Sequence, residues 1–186
     1  MLFASPIRWA SSSRGALEIL TKTAFISIGS NIDPEINLPI AVKKLVVLGT
    51  LIKVSPVFQN PSIGSTPGPD FLNAAALVET SSSPMEIRTQ LRKIEHELGR
   101  VRTADRYAPR TMDLDLCLLG DLVLEHPDFT LPDPELLDRP HLAIPMAALD
   151  PDFIHPITQE RLSDIAKRLM PTAELTPRPD IRFTLT

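Results

Sequence analysis

Two aspartates near the middle of the chain are the residues best suited to chemistry. Asp113 and Asp115 lie within an apolar stretch that predicts a strand, and alternate residues of a strand project from one face. Two neighbouring carboxylates repel each other unless a cation lies between them, and Mg²⁺ commonly takes one or two carboxylates together with substrate phosphates. The pair therefore predicts a magnesium site, although each aspartate taken singly is more typical of a solvated strand end.

A cluster of arginines precedes the two aspartates. Arg100, Arg102, Arg106 and Arg110 surround Tyr107, which is the only tyrosine of the chain. A guanidinium group binds phosphate oxygens in a bidentate manner and stays charged at any working pH. Arginines beside a magnesium site predict that a polyphosphate is held between metal ions and guanidinium groups, whereas surface ion pairs are the alternative interpretation.

The elements that must position these residues follow a regular order. Ser83, Pro84 and Glu86 form a capping box that predicts the start of a helix, and Gly99 predicts its end. Apolar periodicity and turn residues predict the remaining core elements, which are strands at 25–28, 51–58, 71–80 and 111–119 and a first helix at 37–48. This β-α-β-β-α-β order is typical of the ferredoxin-like α+β fold, and fold alone does not give function.

Further elements are expected after this core. The Gly120–Asp121 turn predicts a C-terminal hairpin that returns through residues 122–124, and an amphipathic pattern predicts a helix at 162–169. Prolines between residues 127 and 140 predict an irregular segment. We expect an extension at 1–22, a folded domain at 23–170 and a loose tail at 171–186.

Composition limits the classes of protein to which the chain can belong. Its 186 residues have a net charge of −4, 43% hydrophobic content and one cysteine. No apolar run approaches the ~20 residues that span a bilayer, so no membrane association is expected. The acidic total argues against a nucleic-acid binder, and the lone Cys117 favours a reducing compartment and a buried apolar role. We expect a cytoplasmic monomer, or a protein of an organelle matrix if the basic, serine-containing residues 1–22 are a transit peptide.

The chemical motifs together resemble one enzyme family. The segment Gly99–Asp115 resembles the signature of 6-hydroxymethyl-7,8-dihydropterin pyrophosphokinases, and Gly29-Ser30-Asn31 resembles the GSN that follows the first strand of that family. Residues 58–74 resemble its pterin-binding stretch, and Leu131-Pro132 and Arg139 also fall in register. The resemblance extends over roughly residues 24–170.

The resemblance implies the reaction of the folate pathway that transfers pyrophosphate from ATP to the hydroxymethyl oxygen of the pterin and releases AMP. It implies that Asp113 and Asp115 bind two Mg²⁺ ions and that Arg100 and Arg110 are catalytic contacts to the phosphates. The remaining implied contacts are, for ATP, Glu95, Arg102, Tyr107 and Arg139, and, for the pterin, Asn60, Pro61, Ile63, Phe71, Asn73 and His141.

Three positions depart from the family pattern. Asp133 stands where a histidine is frequent, His141 stands where a phenylalanine commonly stacks on the pterin, and Ala108 replaces a glycine beside the loop aromatic. An imidazole ring can also stack on a pterin. Two other functions remain open on the sequence alone, namely a ferredoxin-like nucleic-acid module and a regulator that binds pterin or nucleotide without turnover.

Overall fold

The structure is a computed structural model that describes residues 21–62, 68–103, 105 and 108–183. Short 3₁₀ helices at Leu45–Leu48, Pro134–Leu137 and Met170–Thr172 accompany the main elements. In chain order, the main elements are β1 (Lys22–Ser30), α1 (Pro34–Lys44), β2 (Thr50–Val54), β3 (Phe58–Asn60), β4 (Phe71–Thr80), α2 (Pro84–Glu97), β5 (Asp113–Leu119), β6 (Leu124–His126), β7 (Phe129–Leu131), α3 (Pro140–Leu149), α4 (Leu162–Leu169) and β8 (Thr176–Pro177).

One antiparallel sheet organises the molecule. The strands run in the order β5-β1-β4-β3-β8, and β2 also pairs with β4. Strands β6 and β7 form a separate hairpin. The α+β class predicted from the sequence is confirmed.

Both faces of the sheet are covered by helices, because successive residues of each buried strand alternate between two cores. Ile26 and Ile28 of β1 belong to the core that includes Leu38 of α1 and Leu91 of α2. Phe25 belongs to the second core, which contains Ala75, Cys117, Met146 and Ile165. Cys117 is fully buried, which confirms the prediction of a small apolar role.

The predicted second helix is confirmed in detail. The Ser83 side chain accepts a hydrogen bond from the Glu86 amide, and the Glu86 carboxylate accepts one from the Ser83 amide at 2.8 Å. Ile87, Leu91 and Ile94 form its buried face. The end of α2 thereby brings Glu95 beneath the arginine-rich segment that follows.

Two other predicted elements have different boundaries. Helix α1 begins at Pro34 rather than Asn37, because a proline at the first helical position needs no amide partner. The predicted strand at 51–58 is divided into β2 and β3 at Pro56, which cannot donate to the ladder. At this break, the Ser55 hydroxyl accepts a hydrogen bond from the Ala75 amide at 2.8 Å.

The region after β5 differs more from the expectation. Gly120 makes the predicted turn with φ 53°, but its amide bonds to Thr23 O and the hairpin is formed by β6 and β7 instead of residues 122–124. The expected irregular segment ends in helix α3, whose first residue is Pro140. The helix predicted at 162–169 is confirmed as α4.

The chain ends also differ from the simple division into extension, domain and tail. Residues 1–20 lie outside the described part, while Lys22 already belongs to β1. The tail is not loose up to residue 183, because β8 pairs with β3 and Phe183 packs on the main core. In the part of the chain that the structure describes, no helix is long and apolar enough to cross a membrane.

Candidate active site

Strand register places the predicted metal and pterin residues in one row. Gly29 at the end of β1 pairs with Asn73 of β4 on one side and with Asp113 of β5 on the other. Two residues back along β1, Ser27 pairs with Asp115. Because strand residues alternate, Asn73, Asp113 and Asp115 point to the same face of the sheet.

Gly29 leaves space between the side chains of Asn73 and Asp113. It has no side chain, and a Cβ placed there would approach Asn73 Oδ1 to 3.0 Å and Asp113 Cβ to 3.8 Å. The space between the amide of Asn73 and the carboxylate of Asp113 therefore depends on this glycine.

A cleft of about 420 Å³ lies above this row. Most of the residues proposed from the sequence contribute to its walls. These are Asn60, Phe71, Asn73, Arg100, Arg102, Arg110, Asp113, Asp115, Arg139 and His141.

Asp113 is bound by two of the predicted phosphate-binding arginines. Arg110 Nη1 lies 2.6 Å from Asp113 Oδ2, and Arg100 Nη1 binds Asp113 Oδ1. Arg100 also donates to the carbonyl oxygen of Met112 at 2.7 Å. In this ligand-free arrangement, the two guanidinium groups compensate the charge of Asp113.

Glu95 lies behind the arginines. It is 2% exposed and accepts hydrogen bonds from Arg100 at 3.0 Å, from Arg102 at 2.6 Å and from the Leu114 amide at 2.9 Å. Burial raises the pKa of Glu95, while the Leu114 amide and the two arginines oppose this rise. Glu95 therefore positions the arginines, and its expected contact with ATP stays a prediction.

The negative charge of Asp115 is compensated less by nearby cations than that of Asp113. Its carboxylate is accessible to solvent but lies deep in the concave site, where the surrounding protein reduces its hydration. This desolvation is the main cause that raises its pKa to about 7, and repulsion by Asp113, Glu95 and Asp133 adds to it. Arg100 opposes the rise only in part. A carboxylate in these surroundings favours the binding of a cation.

The wall opposite β5 comes from the segment that precedes α3. Arg139 lies directly before the first residue of α3, with its Nε 3.7 Å from Glu135 Oε2. Asp133 Oδ1 accepts a hydrogen bond from the Glu135 amide at 2.9 Å. Asp133 thus caps the short helix that follows it, which accounts for an acid at this position.

The predicted pterin residues lie at the other end of the cleft. Asn73 Nδ2 donates a hydrogen bond to Asn60 Oδ1, which fixes the orientation of both amides. Phe71 lies beside Asn60 in the register of β4 and β3, and the guanidinium of Arg110 lies 5.7 Å from the centroid of its ring. These groups offer one aromatic face and two amide edges.

His141 occupies the first turn of α3 and lines the same cleft. Burial lowers the pKa of His141, and the nearby Arg139 adds to this effect, while Glu135 and Asp113 oppose it. The imidazole is therefore neutral at pH 7 and can present a flat, uncharged face.

Four of the predicted residues are not among the described residues that line the cleft, and one of them is Glu95, which is buried behind the arginines. Pro61 follows Asn60 but lines a neighbouring groove together with residues of the C-terminal segment. Ile63 and Tyr107 lie outside the described residues.

Asn31 is a site residue to which the sequence analysis assigned no role. It is buried, its Oδ1 accepts from the Arg110 amide at 2.7 Å, and its Nδ2 donates to Pro69 O at 3.2 Å. It therefore joins the loop that carries Arg110 to the loop that precedes Phe71. Its place in the Gly29-Ser30-Asn31 motif was the available signal.

Comparisons with known proteins agree with this geometry. The family model described as 7,8-dihydro-6-hydroxymethylpterin-pyrophosphokinase (HPPK) matches residues 25–151. The 2-amino-4-hydroxy-6-hydroxymethyldihydropteridine pyrophosphokinase of Haemophilus influenzae is 33% identical over 140 residues, which cover 74% of this chain and 87% of the relative. The Synechocystis enzyme of the same name is 31% identical, with 86% of this chain and 83% of the relative covered.

Larger proteins contain a similar region. The folic acid synthesis protein fol1 of Schizosaccharomyces pombe is 32% identical over 80% of this chain but only 20% of its own length. A crystal structure of Plasmodium falciparum HPPK-DHPS has a TM-score of 0.60 at 12% identity, and the match covers 80% of this chain and 43% of that one. The likeness to that structure supports the fold, and the extent of the sequence matches shows that the chain belongs to the 7,8-dihydro-6-hydroxymethylpterin-pyrophosphokinase family.

Proposed function

We propose that this pyrophosphokinase transfers the pyrophosphoryl group of ATP to the hydroxymethyl oxygen of 6-hydroxymethyl-7,8-dihydropterin, in tetrahydrofolate biosynthesis. The bond between the α-phosphate oxygen and the β-phosphorus breaks, the pterin oxygen bonds to the β-phosphorus, and the hydroxyl proton is released with AMP. The observation that carries this proposal is the cleft itself, which has Asp113, Asp115 and the arginines at one end and Asn60, Asn73 and Phe71 at the other.

Asp113 and Asp115 would hold two Mg²⁺ ions. The fit rests on their common face of β5 and on the raised pKa of Asp115, which reflects negative charge that the protein leaves poorly compensated. Mg²⁺ commonly takes one or two carboxylates, and substrate phosphates would complete its ligands here. Bound Mg²⁺ would offset phosphate charge and lower the pKa of the attacking hydroxyl.

The arginines would hold and neutralise the phosphates. Arg100 and Arg110 both bind Asp113, so their guanidinium groups lie beside the proposed metal site. Arg102 is more exposed, and Arg139 reaches the cleft from the opposite wall. Phosphoryl transfer asks the protein chiefly for positioning and charge stabilisation, and this set supplies both.

The pterin would bind between aromatic and amide groups. Phe71 offers a stacking face, Asn60 and Asn73 offer hydrogen bonds to the polar edge, and the neutral imidazole of His141 offers a second face. Pro61, Ile63 and, on the ATP side, Tyr107 remain predictions taken from the family resemblance.

The remaining expectations concern fold and setting. The strand order supports a ferredoxin-like core, because β1 lies between β5 and β4 while β2 and β3 each pair with β4. The β6–β7 hairpin, α3 and α4 are added to this core. We expect a monomer that binds small molecules rather than nucleic acid, and the domain expected at 23–170 also includes the paired segment up to residue 183. Its expected location is the cytoplasm, or an organelle matrix if residues 1–22 direct import.

The test is AMP formation measured with and without the pterin and with and without Mg²⁺. Asp113→Ala and Asp115→Ala should each lose about 10³-fold in turnover, because metal-assisted charge stabilisation of this kind contributes about 4 kcal/mol. Asp121→Ala, at the exposed turn after β5, is the matched control. Near-normal turnover of both variants would contradict the proposal, and ligand binding by the wild type without AMP would indicate a non-catalytic binding protein.

A further inference from the structure

The C-terminal segment completes the edge of the sheet beside the predicted pterin site. Strand β8 pairs with β3, with Thr176 opposite Gln59 and Pro177 opposite Phe58. The Arg178 amide extends this pairing with a hydrogen bond to Val57 O at 2.8 Å. Without this pairing, the short strand β3 would be an edge strand held by β4 alone.

Arg178 joins this segment to two other parts of the molecule. Its Nη1 donates to Gln59 Oε1 at 2.8 Å, and its Nη2 lies 3.4 Å from Glu35 Oε1 in the first turn of α1. Asp180 holds the guanidinium in place through Nε at 3.0 Å and Nη2 at 2.8 Å. The Arg178 side chain is 23% exposed and its hydrogen bond to Gln59 is partly buried, whereas Glu35 and Asp180 are each more than half exposed.

Gln59 connects Arg178 to the pterin side of the cleft through hydrogen bonds. It precedes Asn60 in β3, and its Nε2 donates to Asp70 Oδ2 at 2.8 Å, next to Phe71. The Arg178–Gln59–Asp70 chain thus fastens both strands on which Asn60 and Phe71 lie. Residues 173–176 also form one wall of the groove whose other wall includes Asn60 and Pro61.

We infer that residues 176–183 form a clamp that sets the position of the pterin-binding edge of the cleft, with Arg178 as its positioning residue. The inference rests on the proposed function, because the pterin contacts of Asn60 and Phe71 belong to it. The clamp lies outside residues 25–151, which the family model matches. The clamp acts on pterin binding and not on ATP binding. The described contacts of Arg178 reach β3 and α1, and they do not reach the arginines or aspartates of the phosphate side.

Physical reasons favour an effect on pterin affinity. The contacts of Arg178 fix the backbone of β3 before the pterin enters, so a variant that lacks them must order this strand as the pterin binds. Loss of the Arg178 contacts should therefore raise the pterin KM about tenfold. The ATP KM and kcat should stay within about twofold, because strand β5 and its arginines are untouched.

The experiment compares steady-state kinetics and pterin binding by calorimetry in full-length variants. Arg178→Ala and Gln59→Ala both remove the hydrogen bond between these two residues, so each should raise the pterin KM and the double variant should raise it by less than the two effects combined. The control is Arg182→Ala, an exposed arginine of the same segment that donates to Pro179 O. Gln59→Ala also serves if Arg178→Ala fails to fold.

Each outcome decides the inference. An unchanged pterin KM in Arg178→Ala overturns it, and so does a parallel loss of kcat and of both affinities that follows a lower melting temperature. Additive effects of the two substitutions also overturn it. If the wild type forms no AMP, the proposed function fails, and the clamp then stands only if the wild type binds the pterin and Arg178→Ala weakens that binding about tenfold.

Discussion

Asp113 and Asp115 are neighbours on one face of β5, yet their replacement by asparagine should change stability in opposite directions. Asp113 accepts ion pairs from Arg100 and Arg110, whose side chains are 11% and 17% exposed. Asp113→Asn leaves these guanidinium groups without their shared counter-charge, although Arg100 keeps Glu95. Because Asp113 itself is 28% exposed, we expect a loss of about 2 kcal/mol, below the value for fully buried pairs.

Asp115→Asn should instead stabilise the ligand-free protein at alkaline pH. The pKa of Asp115 rises from 3.8 to about 7 on folding, so the ionised carboxylate destabilises the native state. A rise of about three pKa units would correspond to about 4 kcal/mol in a fully buried group, and solvent screening of this accessible carboxylate reduces the effect to about 1 kcal/mol. The folded state binds more protons between pH 3.8 and about 7, so the penalty grows across this window and is complete above it.

The assay is urea unfolding of wild type, Asp113→Asn and Asp115→Asn at pH 5 and pH 8, without Mg²⁺ or ATP. We expect the gain of Asp115→Asn at pH 8 to shrink at pH 5, whereas the loss in Asp113→Asn persists. Both variants should be inactive if both carboxylates bind metal. Destabilisation by Asp115→Asn at pH 8, or a gain that does not depend on pH, would refute the assignment of uncompensated charge to Asp115.

Three further predictions address the scaffold of the site. In Gly29→Ala the new Cβ would lie 3.0 Å from Asn73 Oδ1 and would force that amide to move. The pterin KM should therefore rise several-fold while the urea midpoint changes little. An unchanged pterin KM would contradict the role of Gly29 in keeping space between Asn73 and Asp113. Ser83→Ala removes the α2 cap and should lower the free energy of unfolding by about 1 kcal/mol, and an unchanged urea midpoint would contradict a stabilising capping box. Burial raises the pKa of the Cys117 thiol, so the native protein should react with a thiol reagent at pH 8 only after unfolding, and rapid labelling of the folded protein would argue against burial.

The elements with strong local signals were predictable from the sequence. The capping box and the spacing of Ile87, Leu91 and Ile94 specify α2 without reference to the rest of the chain. Helix α3 was missed because its prolines suggested a loop, and the suitability of Pro140 for the first helical position becomes evident only with the helix in place. Strand β8 has two residues, so its existence depends on pairing with β3 and not on its own composition.

The site was predictable in its residue types and less so in its contacts. Alternation along β5 was sufficient to place Asp113 and Asp115 on one face, whereas the three-strand register that brings Asn73 opposite Gly29 depends on long-range pairing. The family resemblance implied an ATP contact for Glu95, and nothing in the sequence around it indicated that it lies beneath the arginines. Its burial beneath them follows from the way α2 packs on the sheet, which no local pattern specifies.

The charges of the cleft predict that ATP and metal enter together at the proposed site. Arg100, Arg102 and Arg110 are paired with Glu95 and Asp113, while Asp115 remains poorly compensated. ATP alone would compete with these carboxylates for the guanidinium groups and would add negative charge beside Asp115. Two divalent cations carry about as much positive charge as the triphosphate carries negative charge, so joint entry leaves the cleft balanced and frees the arginines for phosphate. The affinity for ATP should therefore depend steeply on Mg²⁺ in the wild type and much less in Asp115→Asn, where the uncompensated charge is gone.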